Sequence, residues 1–290
     1  MKRPLSVIAI VWALGFSVGL SYGQDDEKPN AQPIRALVIA GGCCHDYPRQ
    51  NQIITKGIAQ RVNIEFDVFL GPKPRARRVA MYQTDQWTNG YDIVIHNECY
   101  GGVTDVEFVD RIVKGHTNTR VPAVFIHCSM HSYRNAKTDE WRKLLGVTSK
   151  RHERGGRQLD VVNRAPDNTI MKSFPGSWKT PNGELYVIER AWPECKVLAT
   201  AYGVDTKEDH PVIWSNEYKG TKVFGTTLGH HNETMISKEW LDVVASGILW
   251  ACGKLNDDGT PLEGYFGAGV GPLKLDTIGV EAAGAPTPAQ

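Results

Sequence analysis

One repeated alternation restricts the fold of this chain more than any other feature. Residues 34–40, 64–70, 91–96 and 121–126 are short apolar runs rich in β-branched side chains. Residues 51–62, 105–114 and 138–145 carry helical spacing between or after them, with Val106, Val109, Ile112 and Val113 on one helical face. A strand that alternates with helices, and is itself apolar on both sides, belongs to a parallel sheet covered on both faces. The expectation is a three-layer, doubly wound, mostly parallel α/β sheet. The pattern weakens over residues 146–190, where short candidate strands at 159–162 and 185–188 sit among Gly, Pro and Asn. That section reads as an insertion lying over the carboxyl ends of the strands. Strands at 197–201, 212–214 and 222–228 and a last helix at 237–252 complete one domain over residues 34–256. Residues 257–290 are rich in Gly, Pro and Ala and read as an extended tail with a loose end.

The amino terminus reads separately. Met1-Lys2-Arg3 is basic, residues 5–20 are apolar apart from Ser6 and Ser17, and small residues precede Gln24 at the −3 and −1 positions. This fits a cleaved secretory signal over residues 1–23 and a flexible polar lead-in at 24–33, and so a periplasmic or secreted protein. The apolar stretch is short for a membrane span, and no later stretch approaches one. Without Lys2 and Arg3, 31 of the 33 basic residues face 32 acidic ones, a balance that offers nothing to attract nucleic acid or an anionic membrane. The six cysteines, at 43, 44, 99, 128, 195 and 252, include no C-x-x-C pair. Joining the neighbours Cys43 and Cys44 requires a strained ring, so they are expected to be unpaired.

Ligands collect beyond the carboxyl ends of strands in such sheets, and four strand ends carry chemistry. The first ends in GGCCHDYP, the third in HNECY, the fourth in HCSMH and a late one in GHHNE. Imidazole and carboxylate ligands suit a divalent metal, zinc first, held by about three protein groups with one position open. His45, His127 and His230 are the candidate ligands, with Glu98 as a fourth ligand or a base. A second reading is a carbohydrate-binding or scaffolding module without catalysis. A third makes Cys128 a hydrolase nucleophile with His231 or His230 as base and Glu233 orienting it, although His127, Ser129 and Met130 crowd that turn. The candidate catalytic groups are Glu98, His127, Glu184 and His231. Asp46, Tyr47, His131, Arg134 and Tyr186 are candidates for binding substrate, with Trp178 and Tyr186 as stacking platforms. His116 and His152 read as surface residues. No G-x-G-x-x-G or Walker sequence follows a strand, so no nucleotide cofactor is expected.

The stretches RALVIAGGCCHDY, YDIVIHNEC, VPAVFIHCSMHSYR, NGELYVI, HPVIWSNEYKGTKVFGTTLGHHNETM and GILWACG, spanning about residues 34–254, resemble the trehalose-utilisation (ThuA-like) family. The resemblance implies a class I glutamine amidotransferase-like (flavodoxin-like) fold. The nucleophile of that superfamily would fall near His127 or Cys128, but the G-x-C-x-G surroundings are missing, which speaks against glutamine hydrolysis. The family is associated with breakdown of disaccharides through 3-keto sugars, some of it metal-dependent. His45, His127, Glu184 and His230 match its recurring positions. A family His-Pro-Ile is replaced by Asn168-Thr169-Ile170, and Asp209-His210 lies in a different block. A carbohydrate substrate is implied; homo-oligomerisation is left open.

Overall fold

The computed structural model describes residues 31–269, 271, 273–275 and 278; the expected signal segment and most of the lead-in lie outside them. Strands β1 (Ile34–Gly42), β2 (Ile64–Leu70), β3 (Ile93–Cys99) and β4 (Ala123–Ile126) alternate with α1 (Tyr47–Ala59) and α2 (Val106–Thr119). After β4 come α3 (Glu140–Leu145), β5 (Val147–His152), β6 (Asp160–Asn163), β7 (Ser177–Lys179), β8 (Tyr186–Ala191), β9 (Lys196–Tyr202), β10 (Asp209–Tyr218) and β11 (Thr221–Thr226). Helices α4 (Asn232–Met235) and α5 (Lys238–Ala251) close the series.

The main sheet runs β2-β1-β3-β4-β11-β10-β9-β6-β7. Its first five strands pair in parallel, in the 2-1-3-4-5 order of doubly wound flavodoxin-like sheets. The remaining four are antiparallel. This is the three-layer, class I amidotransferase-like architecture expected. Side chains of β1 alternate between two cores: Ala36 and Val38 pack with α1 and α5, and Leu37 and Ile39 with α2 and α3. Burial on both faces is why this strand reads as an unbroken apolar run. Helix α1 starts earlier than its apolar spacing suggests, because Asp46 caps it by accepting from Arg49 N.

The middle section divides. β6 and β7 extend the main sheet past β9, whereas β5 and β8 form a separate antiparallel pair. That pair packs against the turn after β4 and brings Glu184, Tyr186 and His152 to the strand ends. Beyond α5 the chain returns along α1 and β2, where Asn63 N donates to Tyr265 O and Ala268 N to Ala59 O. No described helix is long and apolar enough to cross a membrane.

Candidate functional site

Three strand ends deliver three imidazoles. At the end of β1, Gly41 and Gly42 take φ values of +136° and +89°. A Cβ on Gly42 would lie 2.1 Å from the Cys99 carbonyl oxygen. Only glycine allows β1 to turn this close to the backbone of its neighbour β3. Cys43 and Cys44 follow, joined as a disulfide, against the expectation that they stay apart. The turn resolves the ring's demand by putting Cys44 at φ +86°. His45 comes next. At the end of β4, His127 sits at φ +43°, a left-handed position costing about 1–3 kcal/mol for a residue with a side chain. The turn is held by Ser129 Oγ donating to His96 O (2.6 Å) and Trp141 Nε1 donating to Ser129 O (3.1 Å). After β11, Gly229 at φ +126° turns the chain into His230. The ring centroids of His45, His127 and His230 lie 4.8–5.1 Å apart.

Glu184, just before β8, completes the group. Its Oε2 is 3.3 Å from His127 Nε2 and 3.2 Å from His230 Nδ1, and those nitrogens are 3.1 Å apart. His127 Nδ1 donates to the Thr227 carbonyl (2.5 Å), which leaves its Nε2 as a bare lone pair aimed at the cluster. Four ligands around one ion with bonds of 2.0–2.1 Å stand about 3.3 Å from one another, the spacing of this triangle. Neither ring nitrogen of His45 has a hydrogen-bond partner among the described residues, and one nitrogen lies within 4.8 Å of those of His127 and His230. An orphaned imidazole beside two more and a carboxylate fits a divalent ion. His45, His127 and His230 would hold it, with Glu184 as fourth ligand.

The protonation states agree with that use. Burial, then the neighbouring His127 and His230, pushes His45 down to about 2 against a weak opposing pull from Glu184 and the His230 backbone. Burial also lowers His127, although Glu184 opposes it. Burial pushes the Glu184 carboxyl up, but its contacts with the facing ring nitrogens of His127 and His230 outweigh burial and hold the group well below the usual carboxylate range. The neutral imidazoles of His45 and His127 and an ionised Glu184 are metal-binding forms.

Around the cluster opens a cavity of about 190 Å³. Arg75, His131, Arg134, His152, Tyr186 and Cys99 are among its walls. His152 Nδ1 lies 3.1 Å from Glu184 Oε1 and 2.7 Å from the Glu153 carbonyl. This residue, expected on the bare surface, belongs to the site. His131 stacks on Tyr186 with centroids 4.0 Å apart, and its Nε2 pairs with Ser149 Oγ. Tyr186 is therefore covered rather than open as a sugar platform.

Other candidates lie elsewhere. Glu98 is fully buried and points to the opposite face of the sheet. There it accepts from Tyr82 OH (2.7 Å) and faces His96 Nδ1 (3.3 Å). His116 is in that interior too, not on the surface: its Nδ1 donates to Val121 O (2.7 Å) and its Nε2 meets His96 Nε2 (2.9 Å). Asp46 caps α1 and accepts from Asn232. Tyr47 is buried, with its hydroxyl donating to the Cys43 carbonyl; both border a neighbouring depression. His231 precedes α4 with Nε2 beside Gly156, outside the cavity wall. Trp178 packs in the core against Phe174. Cys128 is buried, and its thiol is pushed well up by its hydrogen bond with Cys99 and by burial. Among the described residues no imidazole hydrogen-bonds to it, so it lacks the activation a nucleophile needs.

The family description "ThuA: Trehalose utilisation" matches residues 35–251. A crystal structure of a ThuA-like protein from Parabacteroides merdae shares 18% identity over 81% of this chain and 97% of that one, with a TM-score of 0.60. Another ThuA-like protein, from Bacteroides uniformis, shares 14% identity over 82% and 99%, also at 0.60. At these identities the two structures show the common fold alone. No curated protein matches the chain significantly. With the family description covering most of its length, this chain belongs to the ThuA (trehalose utilisation) family.

Proposed function

We propose that this protein is an exported enzyme that acts on a carbohydrate or a 3-keto sugar derivative with a divalent metal, zinc first. The observation that carries the reading is the triangle of His127 Nε2, His230 Nδ1 and Glu184 Oε2 at 3.1–3.3 Å, next to an unpartnered His45. Family membership supports the carbohydrate, and the amino-terminal sequence supports export. A bound divalent ion, by adding a substrate oxygen to its four protein ligands, would supply Lewis acidity toward a carbonyl.

The chain's own groups do the rest. Glu184 faces the imidazoles with one oxygen and His152 with the other. The Glu184 carboxylate and the Glu153 carbonyl keep a proton on His152 Nδ1, so that Nε2 can accept one. A carbon-bound proton beside the substrate carbonyl passes to that Nε2, the electron pair left behind expels the glycosidic oxygen at the next carbon, and the departing oxygen takes the proton back from Nε2 to leave as an alcohol. Arg75 and Arg134 at the rim offer hydrogen bonds to hydroxyls.

The test is incubation of purified protein with 3-keto-trehalose, with and without a chelator. Conversion that the chelator abolishes and zinc restores is the expected result; unchanged substrate in every arm overturns the reading. A His152→Ala variant is expected to lose about 10²–10⁴ in kcat.

A further inference from the structure

The cavity lining holds a feature that the proposed reaction does not use. Cys43, Cys44, Cys99 and Cys128 all border the same space, contributed by the ends of β1, β3 and β4. The sulfurs of Cys43, Cys44 and Cys99 lie within 4.8 Å of one another. Cys43 Sγ and Cys99 Sγ are 3.6 Å apart, and Cys99 is hydrogen-bonded to Cys128. Buried cysteines commonly serve as small apolar fillers, but fillers have no reason to bring sulfurs from separate strands to one point with Cys44 exposed.

We infer that Cys43, Cys44 and Cys99 form a second metal site, for a soft thiophilic d10 ion, that becomes available when the Cys43–Cys44 disulfide is reduced. Two thiolates sharing one tetrahedral ion at bonds of about 2.3 Å stand about 3.8 Å apart, and the Cys43–Cys99 pair already has nearly that separation. Thiolate sulfur selects soft ions over the harder ones that imidazole and carboxylate accept, so this site and the histidine cluster differ in preference while sharing a cavity. The chemistry balances with a phosphine as reductant. The phosphine takes up oxygen from water to become its oxide, and the disulfide takes two electrons and two protons to become two thiols. An entering ion then displaces the protons of the three thiols. Cys128 stands beside Cys99 as a fourth donor.

The inference is independent of the carbohydrate reading, and so is its test. Full-length protein in a Cys195→Ser/Cys252→Ser background is reduced with a phosphine, freed of excess reagent and titrated with Cd2+, following the thiolate-to-cadmium charge-transfer band. A saturable band is expected after reduction and not before it. Cys99→Ser and the exposed Cys44→Ser are each expected to weaken binding beyond the about 10–100-fold typical of losing an outer-shell partner. His45→Ala is expected to leave the band in place. Circular dichroism establishes that each variant is folded, and Cys44→Ser stands in if Cys99→Ser is not. No band after reduction, an equal band before it, or unchanged affinity in the folded cysteine variants overturns the inference.

Discussion

Replacing Glu184 by glutamine keeps the side chain's size and removes one negative charge from a point 3.2–3.3 Å from two imidazole nitrogens. If those atoms surround an ion, the substitution exchanges an ionised ligand for a neutral amide. Losing an outer-shell partner already costs about 10–100-fold in metal affinity, so about 100-fold is a conservative figure here. With zinc at 100 times the wild-type dissociation constant, mass action stabilises the folded protein by about 2.7 kcal/mol. A site weakened about 100-fold retains about 0.4 kcal/mol at that concentration, a loss of about 2.3 kcal/mol. At about 2–4 °C per kcal/mol for a domain of this size, the zinc-induced rise in Tm shrinks by about 5–9 °C. The assay is thermal unfolding of both proteins with chelator and with zinc. Each protein's own difference is compared, so any change that the substitution makes to the metal-free fold cancels. An equal zinc-induced rise in wild type and Glu184→Gln refutes the role of Glu184 as a ligand.

Glu98→Ala strands buried hydrogen-bond partners on the far face of the sheet and is expected to cost about 1–3 kcal/mol by urea unfolding, with Glu98→Gln milder. Neither is expected to change metal content, and a loss of metal in a folded Glu98→Gln would contradict the placement. Acid is expected to destabilise the chelated protein: burial holds His116 at about 3 and His131 at about 3, so both stay neutral in the fold while the unfolded chain binds protons near 6.5. That stability is complete above the unfolded value and falls as pH drops toward the folded one, by about 2 kcal/mol at pH 5 for the fully buried His116 alone. A urea midpoint unchanged between pH 7.5 and 5 would contradict it. Gly42→Ala drives a Cβ into the Cys99 carbonyl at positive φ and is expected to cost about 1–3 kcal/mol while weakening zinc binding through a displaced His45, measured by unfolding and titration together.

The parallel half of the sheet was legible because its strands are buried on both sides, and burial on both sides writes an apolar run into the sequence. The three histidines were legible for a related reason: in this topology the carboxyl ends of β1, β4 and β11 lie at one edge, so any polar group there is a candidate. Glu98 shows what edge placement alone omits. In β3, Ile93 and Ile95 pack toward α1 and α5, and Val94 packs toward α2. The two-residue period therefore sends His96 and Glu98 with Val94, away from the cavity, and Cys99 with Ile95, toward it. That parity was readable in YDIVIHNEC. The direction of His127 was not, because its left-handed backbone breaks the pleat. Nor was His152, which lies on a strand whose register shifts between Ser149 and Arg151 and whose neighbours carry no apolar period. His116 was expected at the surface because the end of α2 also carries Lys114 and Asn118. Its burial comes from contacts with Trp87 and His96, distant in sequence.

If the reading is right, His45, His127, His230 and Glu184 together bind one divalent ion. Elemental analysis of protein purified without an affinity tag, beside a His45→Ala/His127→Ala variant prepared in parallel, tests it most directly. Close to one equivalent of a divalent transition metal in the wild type, absent from the folded variant, is the expected result. A wild type with no metal that takes up none when zinc is supplied, or equal metal in both proteins, contradicts the claim.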